Sequence, residues 1–353
     1  MMSLSGLRKK IDRLDSRIIE LLNDRAAITL SIGKEKIKHK KPIYAPEREQ
    51  DVLKRLRALN KGPIQNEAIE AIYREIMSAA LALEKPLCIA ALGQQGAYTY
   101  SAAQKIFGQQ VAYDPCKDVP EVFQKVENEQ CDYGVLPIEN STEGMVTPTV
   151  DLLVDSELKI CRQFMMPIKH NLLSMTTKNK IKKVYSNPQV FNQCRHWLLK
   201  NLPNAGLLEV ASTTEAAQKA SRERTSAALA SSEAAKLYGL KVLVSGISDL
   251  AHNTTRFCVI GTVGPLPTGH DRTSLVFSIK DKVGALHAML TPFMKHQINL
   301  TKIESRPSKK KAWDYYFFVD CEGHQNDPRV ERALRQLEGM CKFLKILGSY
   351  PDI

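Results

Sequence analysis

Asn253-Thr254-Thr255-Arg256-Phe257 sets a hydroxyl, a guanidinium and an aromatic ring side by side, just before an apolar run, Phe257 to Ile260, that reads as a strand. A hydroxyl beside a fixed cation suits an anionic substrate with a reacting oxygen. Such triplets also occur as the ordinary polar lead-in to a strand, so the rest of the chain must decide. A second grouping lies near the front. Leu4, Leu7, Ile11, Leu14, Ile18, Leu21, Ile28 and Ile32 recur at helical spacing, the seam of one long helix. The step after Leu21 falls on Arg25, and a guanidinium in mid-seam needs an anion beside it. Glu49 shares a helix face with Val52, Leu53 and Leu56, with Arg48 beside them, so a carboxylate also points inward.

These side chains need elements to hold them. From Met1 to about Lys85 three helices are expected: the long one, a second opened by Pro46 at its first position, and a third from about Asn66 to Glu84. Three helices of this kind cannot close a good core within one chain, so dimerisation through the long helix is expected. From Pro86 the texture becomes α/β, with candidate strands at Leu87–Leu92, Gly134–Ile138, Lys183–Tyr185, Leu207–Val210, Ala227–Ala230, Val242–Val244 and Phe257–Ile260. Hydroxyl and amide residues follow several of them: Thr99 and Ser101; Asn140, Ser141 and Thr142; Ser186 and Asn187; Ser212, Thr213 and Thr214; Ser231 and Ser232. Each is a good helix N-cap. Gathered at strand ends in two series, they also suggest an anion-binding cleft between two lobes. Gly93-Gln94-Gln95-Gly96 lacks the three-glycine dinucleotide spacing, so no nicotinamide cofactor is expected. After the linker Gly264 to Gly269, the order is strand Ser274–Ile279, helix Ala285–His296, strands Asn299–Ser305 and Trp313–Asp320, helix Asp327–Leu337 and strand Leu344–Leu347. This βαββαβ order is a ferredoxin-like unit.

The 353 residues leave room for two or three domains of ordinary globular composition, 43% hydrophobic and 25% charged. The formal charge of +12 comes with short lysine runs, Lys34 to Lys41 and Lys309 to Lys311, without interleaved aromatics. Nucleic acid is therefore not an expected partner. With no apolar h-region at the front and no stretch of 18 apolar residues, a soluble cytoplasmic protein without membrane contact is expected. The eight cysteines are scattered without a CxxC pair and read as reduced thiols; neither they nor the histidines have metal-ligand spacing. No metal or other cofactor is expected.

The front segment resembles the all-helical chorismate mutases of bifunctional aromatic biosynthesis enzymes, through Leu7-Arg8, Asp24-Arg25, Gly33-Lys34-Glu35-Lys36 and Pro46-Glu47-Arg48-Glu49. The resemblance implies that Arg8 from a partner chain, Arg25 and Arg48 hold two carboxylates, that Lys36 donates to the ether oxygen and that Glu49 binds the ring hydroxyl. Such a pericyclic rearrangement of a dianion needs cations that fix the reactive conformer, and no nucleophile. Ala45 stands where some members have an acidic contact. Glu84 stands where others have a donating Gln, so Glu84 is expected to work protonated, through burial.

The middle segment resembles prephenate dehydratase through Gly93-x-x-Gly96-Ala97-Tyr98-Thr99, Leu136-Pro137-Ile138-Glu139-Asn140-Ser141-x-x-Gly144, His170-x-Leu172-Leu173, Ser186-x-Pro188-Gln189 and Thr255-Arg256-Phe257. It departs at Asn187, where His is frequent, and at Ala97. The reaction implied is decarboxylation of prephenate with loss of the ring hydroxyl, with Thr255 as donor to that oxygen and Arg256 fixing a carboxylate. Glu139, Asn140, Ser141, Gln189 and Thr213 are further expected cleft contacts. In the last segment Gly284-Ala285-Leu286-His287 and Glu304-Ser305-Arg306-Pro307 resemble the effector motifs of the ACT domain, which implies inhibition by L-phenylalanine bound between two such domains. His287 stands where an apolar residue is common.

The expected whole is therefore a multidomain homo-oligomer, a dimer or dimer of dimers. Its parts are an all-α mutase at 1–86, a two-lobed α/β dehydratase at 87–265 and an α+β regulatory domain at 272–353. The main alternative is a non-catalytic sensor of amino or aromatic acids, because two α/β lobes also suit solute binding. A basic DNA-binding regulator is a weaker rival, lacking a short turn between recognition-type helices.

Overall fold

The computed structural model describes residues 3–39, 41–250, 252–279, 282–308 and 314–352. Lys40, Lys309, Lys310, Lys311 and Trp313 of the expectations above lie outside them. The chain forms two compact units, residues 1–88 with 107–112, and residues 89–106 with 113–353.

Among the described residues the first unit holds three helices, α1 (Leu4–Lys38), α2 (Pro46–Leu59) and α3 (Asn66–Glu84), in the expected places. Ser3 caps α1, its Oγ accepting the Gly6 N–H. At 35 residues α1 is about 52 Å long. Only Thr29 and Gly33 of α1 are buried. The apolar seam at Leu7, Ile11, Leu14, Ile18 and Leu21 is 46% to 63% exposed, far more than a helix face within a core. Near its C-terminal end α1 meets α3 closely: a Cβ on Gly33 would lie 3.0 Å from Glu84 Cγ and 3.1 Å from Glu84 Cα.

Among the described residues the second unit contains three sheets. The first has the order β2-β1-β3-β11-β5, with β4 on β3. It comprises β1 (Cys88–Leu92), β2 (Ala112–Cys116), β3 (Tyr133–Asn140), β4 (Gly144–Met145), β5 (Lys159–Pro167) and β11 (Thr254–Gly261), with helices α4 (Tyr98–Phe107), α5 (Val119–Glu127) and α6 (Thr147–Asp155). The second, β10-β6-β9-β7-β8, is formed by β6 (Asn171–Ser174), β7 (Lys183–Ser186), β8 (Gly206–Glu209), β9 (Ser226–Ala230) and β10 (Lys241–Val244). Its helices are α7 (Pro188–Gln193), α8 (Arg195–Asn201), α9 (Thr213–Arg222) and α10 (Ser232–Tyr238). The chain leaves the first lobe after β5 and returns at β11, and these crossings lie side by side, with the Ile168 N–H on the Asn253 carbonyl at 2.8 Å. Small residues bring α9 onto its sheet: Ala216, Ala217 and Ala220 pack with Ala228 and Ala230 in one buried cluster.

The third sheet, β13-β14-β12-β15, comprises β12 (Asp271–Ser278), β13 (Leu300–Pro307), β14 (Tyr315–Glu322) and β15 (Phe343–Pro351), with α11 (Ala285–Lys295) and α12 (Pro328–Glu338). The expected βαββαβ order is present, with a core of Leu275, Phe277, Phe293, Val319 and Leu337. It packs on the first lobe through β15, where a Cβ on Gly348 would lie 2.2 Å from the Ile160 carbonyl oxygen of β5.

Several expectations need correction. Strands β2, β4, β5 and β6 are absent from the expected set; β5 carries Arg162 and Gln163 among its apolar residues, which hides it from a search for apolar runs. Asn140, Ser141 and Thr142 open no helix but a hairpin turn into β4, with Asn140 Oδ1 accepting the Thr142 N–H at 3.0 Å. Asn187, Ser212 and Ser231 do cap α7, α9 and α10. Cys88 and Cys131 are disulfide-bonded and the other six cysteines are not, so the expectation of eight reduced thiols does not hold. Most consequential, β11 begins at Thr254, three residues before the expected strand, because it pairs on both sides, with β3 and β5.

Candidate active sites

In the first unit Lys36, in the last turn of α1, donates to Glu84 Oε2 at 2.8 Å and to the Ile43 carbonyl at 2.7 Å. The Glu84 side chain is 8% exposed, so this is a charge-assisted bond largely out of water. The carboxylate acts as an acceptor here. Next along the chain Tyr44 is buried, and its hydroxyl lies 3.5 Å from Glu49 Oε2. Lys36, Glu84 and Glu49 are thus drawn toward one corner by α1, α3 and the start of α2. Arg25 is half-buried, and Arg8 and Arg48 are exposed. Arg8 is about 42 Å from Lys36 along the α1 axis, so within one chain the two cannot meet on a small ligand.

In the second unit Thr255 is buried near the start of β11, opposite Asn140 of β3. Asn140 Nδ2 donates to Thr255 Oγ1 at 2.9 Å and to Asn253 Oδ1 at 2.8 Å. The orientation of that amide is set locally, since its oxygen takes the backbone N–H of Thr142 and the Thr142 hydroxyl at 2.5 Å. Thr255 Oγ1 is therefore an acceptor from Asn140, which leaves its own proton to donate elsewhere. The polar chain continues into the second lobe. Asn253 Nδ2 donates to Gln193 Oε1 at 3.0 Å, and His170 Nε2 lies 2.8 Å from the same oxygen. Gln193 and Gln189, one turn apart on α7, both donate to Glu143 of the first lobe, at 2.7 and 2.6 Å. His170 is buried, and burial lowers its pKa from the usual imidazole value, against a smaller opposing effect of its bond to Gln193. A neutral ring with Nε2–H donating to Gln193 leaves Nδ1 unprotonated 3.0 Å from the Tyr98 hydroxyl, which also donates to the Lys169 carbonyl at 2.8 Å. Burial also raises the Tyr98 pKa, so that hydroxyl keeps its proton.

Thr213 and Thr214 open α9 and are buried, and among the described residues Thr214 Oγ1 has no hydrogen-bond partner. Ser141 is exposed; its Oγ accepts the Thr254 N–H at 3.0 Å and donates to the His252 carbonyl at 3.1 Å. Arg256 and Glu139 are not brought together with Thr255. Successive strand residues face opposite sides, and Arg256 reaches the third domain, with Nη1 2.9 Å from Asp320 Oδ2 and Nε 3.4 Å from Glu139 Oε2.

Comparison with known proteins matches residues 7–85 to chorismate mutase type II, 89–264 to prephenate dehydratase and 273–339 to the ACT domain. A bifunctional chorismate mutase/prephenate dehydratase of Aquifex aeolicus is 47% identical over 99% of this chain and 98% of its own length. The chain belongs to the bifunctional chorismate mutase/prephenate dehydratase family. It is an enzyme of aromatic amino-acid biosynthesis that makes prephenate from chorismate and phenylpyruvate from prephenate, with an ACT regulatory domain. Among solved structures, a prephenate dehydratase from Arthrobacter aurescens in complex with L-Phe superposes with a TM-score of 0.69 at 33% identity, covering 75% of this chain and 90% of that one. A chain described as GqqA, a quorum quenching acylase, superposes with a TM-score of 0.68 at 27% identity, over 75% of this chain and 98% of that one. One fold thus carries differently named activities, and function must be argued from the site.

Of the effector motifs expected in this bifunctional family, Gly284 adopts a left-handed φ of +76° at the N-terminus of α11, where Ala285 is buried while Leu286 and His287 are exposed. On the edge strand β13, Glu304 and Arg306 share a half-buried face, and Ser305 and Pro307 are exposed. Arg306 Nη2 donates to Thr147 Oγ1 of the dehydratase lobe at 2.7 Å. Sequence reasoning assigned no role to Asn253, His170, Tyr98, Gln193 or Glu143. Tyr98 and His170 stand within the motifs that carry the resemblance, Asn253 opens the stretch that ends at Phe257, and the four-residue spacing of Gln189 and Gln193 puts both on one helix face.

Proposed function

We propose that the three domains span 1–86, 87–265 and 272–353, and that each active site works as follows. In the mutase, Lys36 donates to the ether oxygen, Glu49 binds the ring hydroxyl, and Arg25 and Arg48 hold the carboxylates with Arg8 from a second copy of the chain. The exposed seam of α1 and the axial distance of Arg8 from Lys36 support a dimer through this helix. Glu84 accepts from Lys36 at 2.8 Å, the contact with which the ether oxygen must compete.

In the dehydratase, the carboxylate on the ring leaves as CO2, its electron pair aromatises the ring, and the ring hydroxyl departs. Thr255 hydrogen-bonds that oxygen as negative charge grows on it, and the proton consumed in forming water enters from solvent. The single observation that supports this assignment is the Asn140 amide, oriented by Thr142, which donates to Thr255 Oγ1 and so leaves the Thr255 proton for another acceptor. The N-terminus of α9 with Thr213 and the unpartnered Thr214 hydroxyl suits a substrate carboxylate. Ser141 and Gln189 line the lobe junction. Arg256 and Glu139, the other expected contacts, reach substrate only by leaving their present partners.

L-Phenylalanine binding at Gly284–His287 and Glu304–Pro307 of paired ACT domains is the regulatory reading, supported by the L-Phe complex of the Arthrobacter relative. No helix among the described residues is long and apolar enough to cross a membrane, in keeping with a cytoplasmic enzyme. Chorismate given to the purified chain should yield prephenate and then phenylpyruvate, and phenylalanine should slow the second step more than the first. Equal inhibition of both, or none, would remove the regulatory reading.

A further inference from the structure

The Thr255–Arg256 pair divides between two environments, the cleft on one side of β11 and the third domain on the other. We infer that Asp320 is a positioning residue for the dehydratase reaction, acting through Arg256 on the strand that carries Thr255. The inference rests on Thr255 being the donor. Asp320, in β14, is buried at 7% exposure. Its Oδ2 accepts from Arg256 Nη1 at 2.9 Å and its Oδ1 from Ser274 Oγ at 2.6 Å. Ser274 Oγ is in turn 2.6 Å from the hydroxyl of the fully buried Tyr350, so the carboxylate is fixed by the core of its own domain. From the lobe side Glu139 Oε2 stands 3.4 Å from Arg256 Nε and 2.8 Å from Lys302 Nζ of β13. These last two are ion pairs by distance only, because neither Glu139 Oε2 nor Arg256 Nε meets hydrogen-bond geometry. Arg256, Lys302, Glu139 and Asp320 line a small cavity between the domains with Met145, Gln163 and Leu347, and Lys302 Nζ also lies 3.6 Å from Glu304 Oε2.

The strand gives this cluster its leverage. The β11–β3 ladder shifts register between Arg256 and Phe257, after the pairs Thr255–Asn140 and Arg256–Glu139, while β11 stays in register with β5 from Thr254 to Val259. Such irregularities bend the strand and re-aim side chains on the side where they occur. A guanidinium tied to a buried carboxylate on one face therefore fixes the pleat that points Thr255 into the other. Lys302 lies on the same strand as Glu304–Pro307, so the anchor sits between the expected effector motif and the donor.

Full-length Asp320→Asn, Arg256→Gln and the double variant, each assayed for both activities, test this. Asp320→Asn should lower the dehydratase kcat about tenfold, equivalent to about 1.4 kcal/mol, with KM within about twofold and chorismate kinetics unchanged. The double variant should be no more than about twofold slower than Arg256→Gln, because both substitutions break one linkage. Asp320→Glu, which keeps the charge, should recover kcat to within about threefold of the parent enzyme. The inference is overturned by an unchanged kcat in Asp320→Asn, by Arg256→Gln raising KM additively with Asp320→Asn, or by loss of both activities in Asp320→Asn and Asp320→Glu alike. A Thr255→Ala enzyme that keeps its dehydratase rate would instead remove the donor reading, whatever Asp320 does.

Discussion

Replacing Asn140 by Asp changes one NH2 group to an oxygen at nearly constant shape and reverses the hydrogen bond that orients Thr255. In the structure Asn140 Nδ2 donates to Thr255 Oγ1 at 2.9 Å, and the amide cannot flip without losing the Thr142 N–H on its oxygen. A carboxylate there can only accept, so the Thr255 hydroxyl would turn and donate to Asp instead of to the departing oxygen of prephenate. A hydrogen bond to a charged group is worth about 1.5–3 kcal/mol, and breaking it before catalysis should lower the dehydratase kcat about 10- to 150-fold. Asn253 Oδ1, which now accepts from the same NH2 at 2.8 Å, would also face an oxygen, loosening its bond to Gln193. Added negative charge beside a dianionic substrate should raise KM as well. Phenylpyruvate formation from prephenate measures the effect, and turnover of chorismate by the same preparation shows whether the protein is intact. A kcat within about threefold of the parent would refute the orientation argument.

Two further predictions address other parts of the chain. Gly33→Ala would place a Cβ 3.1 Å from Glu84 Cα, and pushing α3 away should cost about 1–3 kcal/mol of stability and move Glu84 from Lys36. Mutase activity should fall while dehydratase activity stays, measured by separate assays on chorismate and prephenate; an unchanged mutase rate and melting temperature would disprove the close approach. His170, with its pKa lowered by burial, binds a proton more readily unfolded than folded, so it contributes stability present above the usual imidazole pKa of about 6.5 and lost as pH falls below it. In His170→Gln that part of the pH dependence of stability should vanish in denaturant titrations, and an identical slope in both proteins would exclude His170 as its source.

Much of the frame was legible because its signals are local. Pro46 and the spacing from Leu4 to Ile32 gave helix positions, and Asn187, Ser212 and Ser231 gave caps where their backbones require them. The order of the last six elements followed from alternating patterns. What failed depends on distant partners. The start of β11 is set by β3 and β5, and without that start strand alternation could not be applied to Thr255 and Arg256. Arg256 therefore looked like a substrate cation, although its nearest carboxylates come from Glu139 and from Asp320, 64 positions further along the chain. The polar chain through Asn253, Gln193 and His170 was hidden likewise, because its members become neighbours only where the chain crosses between lobes.

The central claim is that one chain carries two separate active sites, with Thr255 serving only the second. Thr255→Ala tests it most directly, with chorismate as substrate and both products followed over time. The account predicts prephenate formed at the parent rate and accumulating, with phenylpyruvate formation slowed by about 100-fold or more. Phenylpyruvate appearing at near the parent rate, or loss of prephenate formation as well, would contradict it.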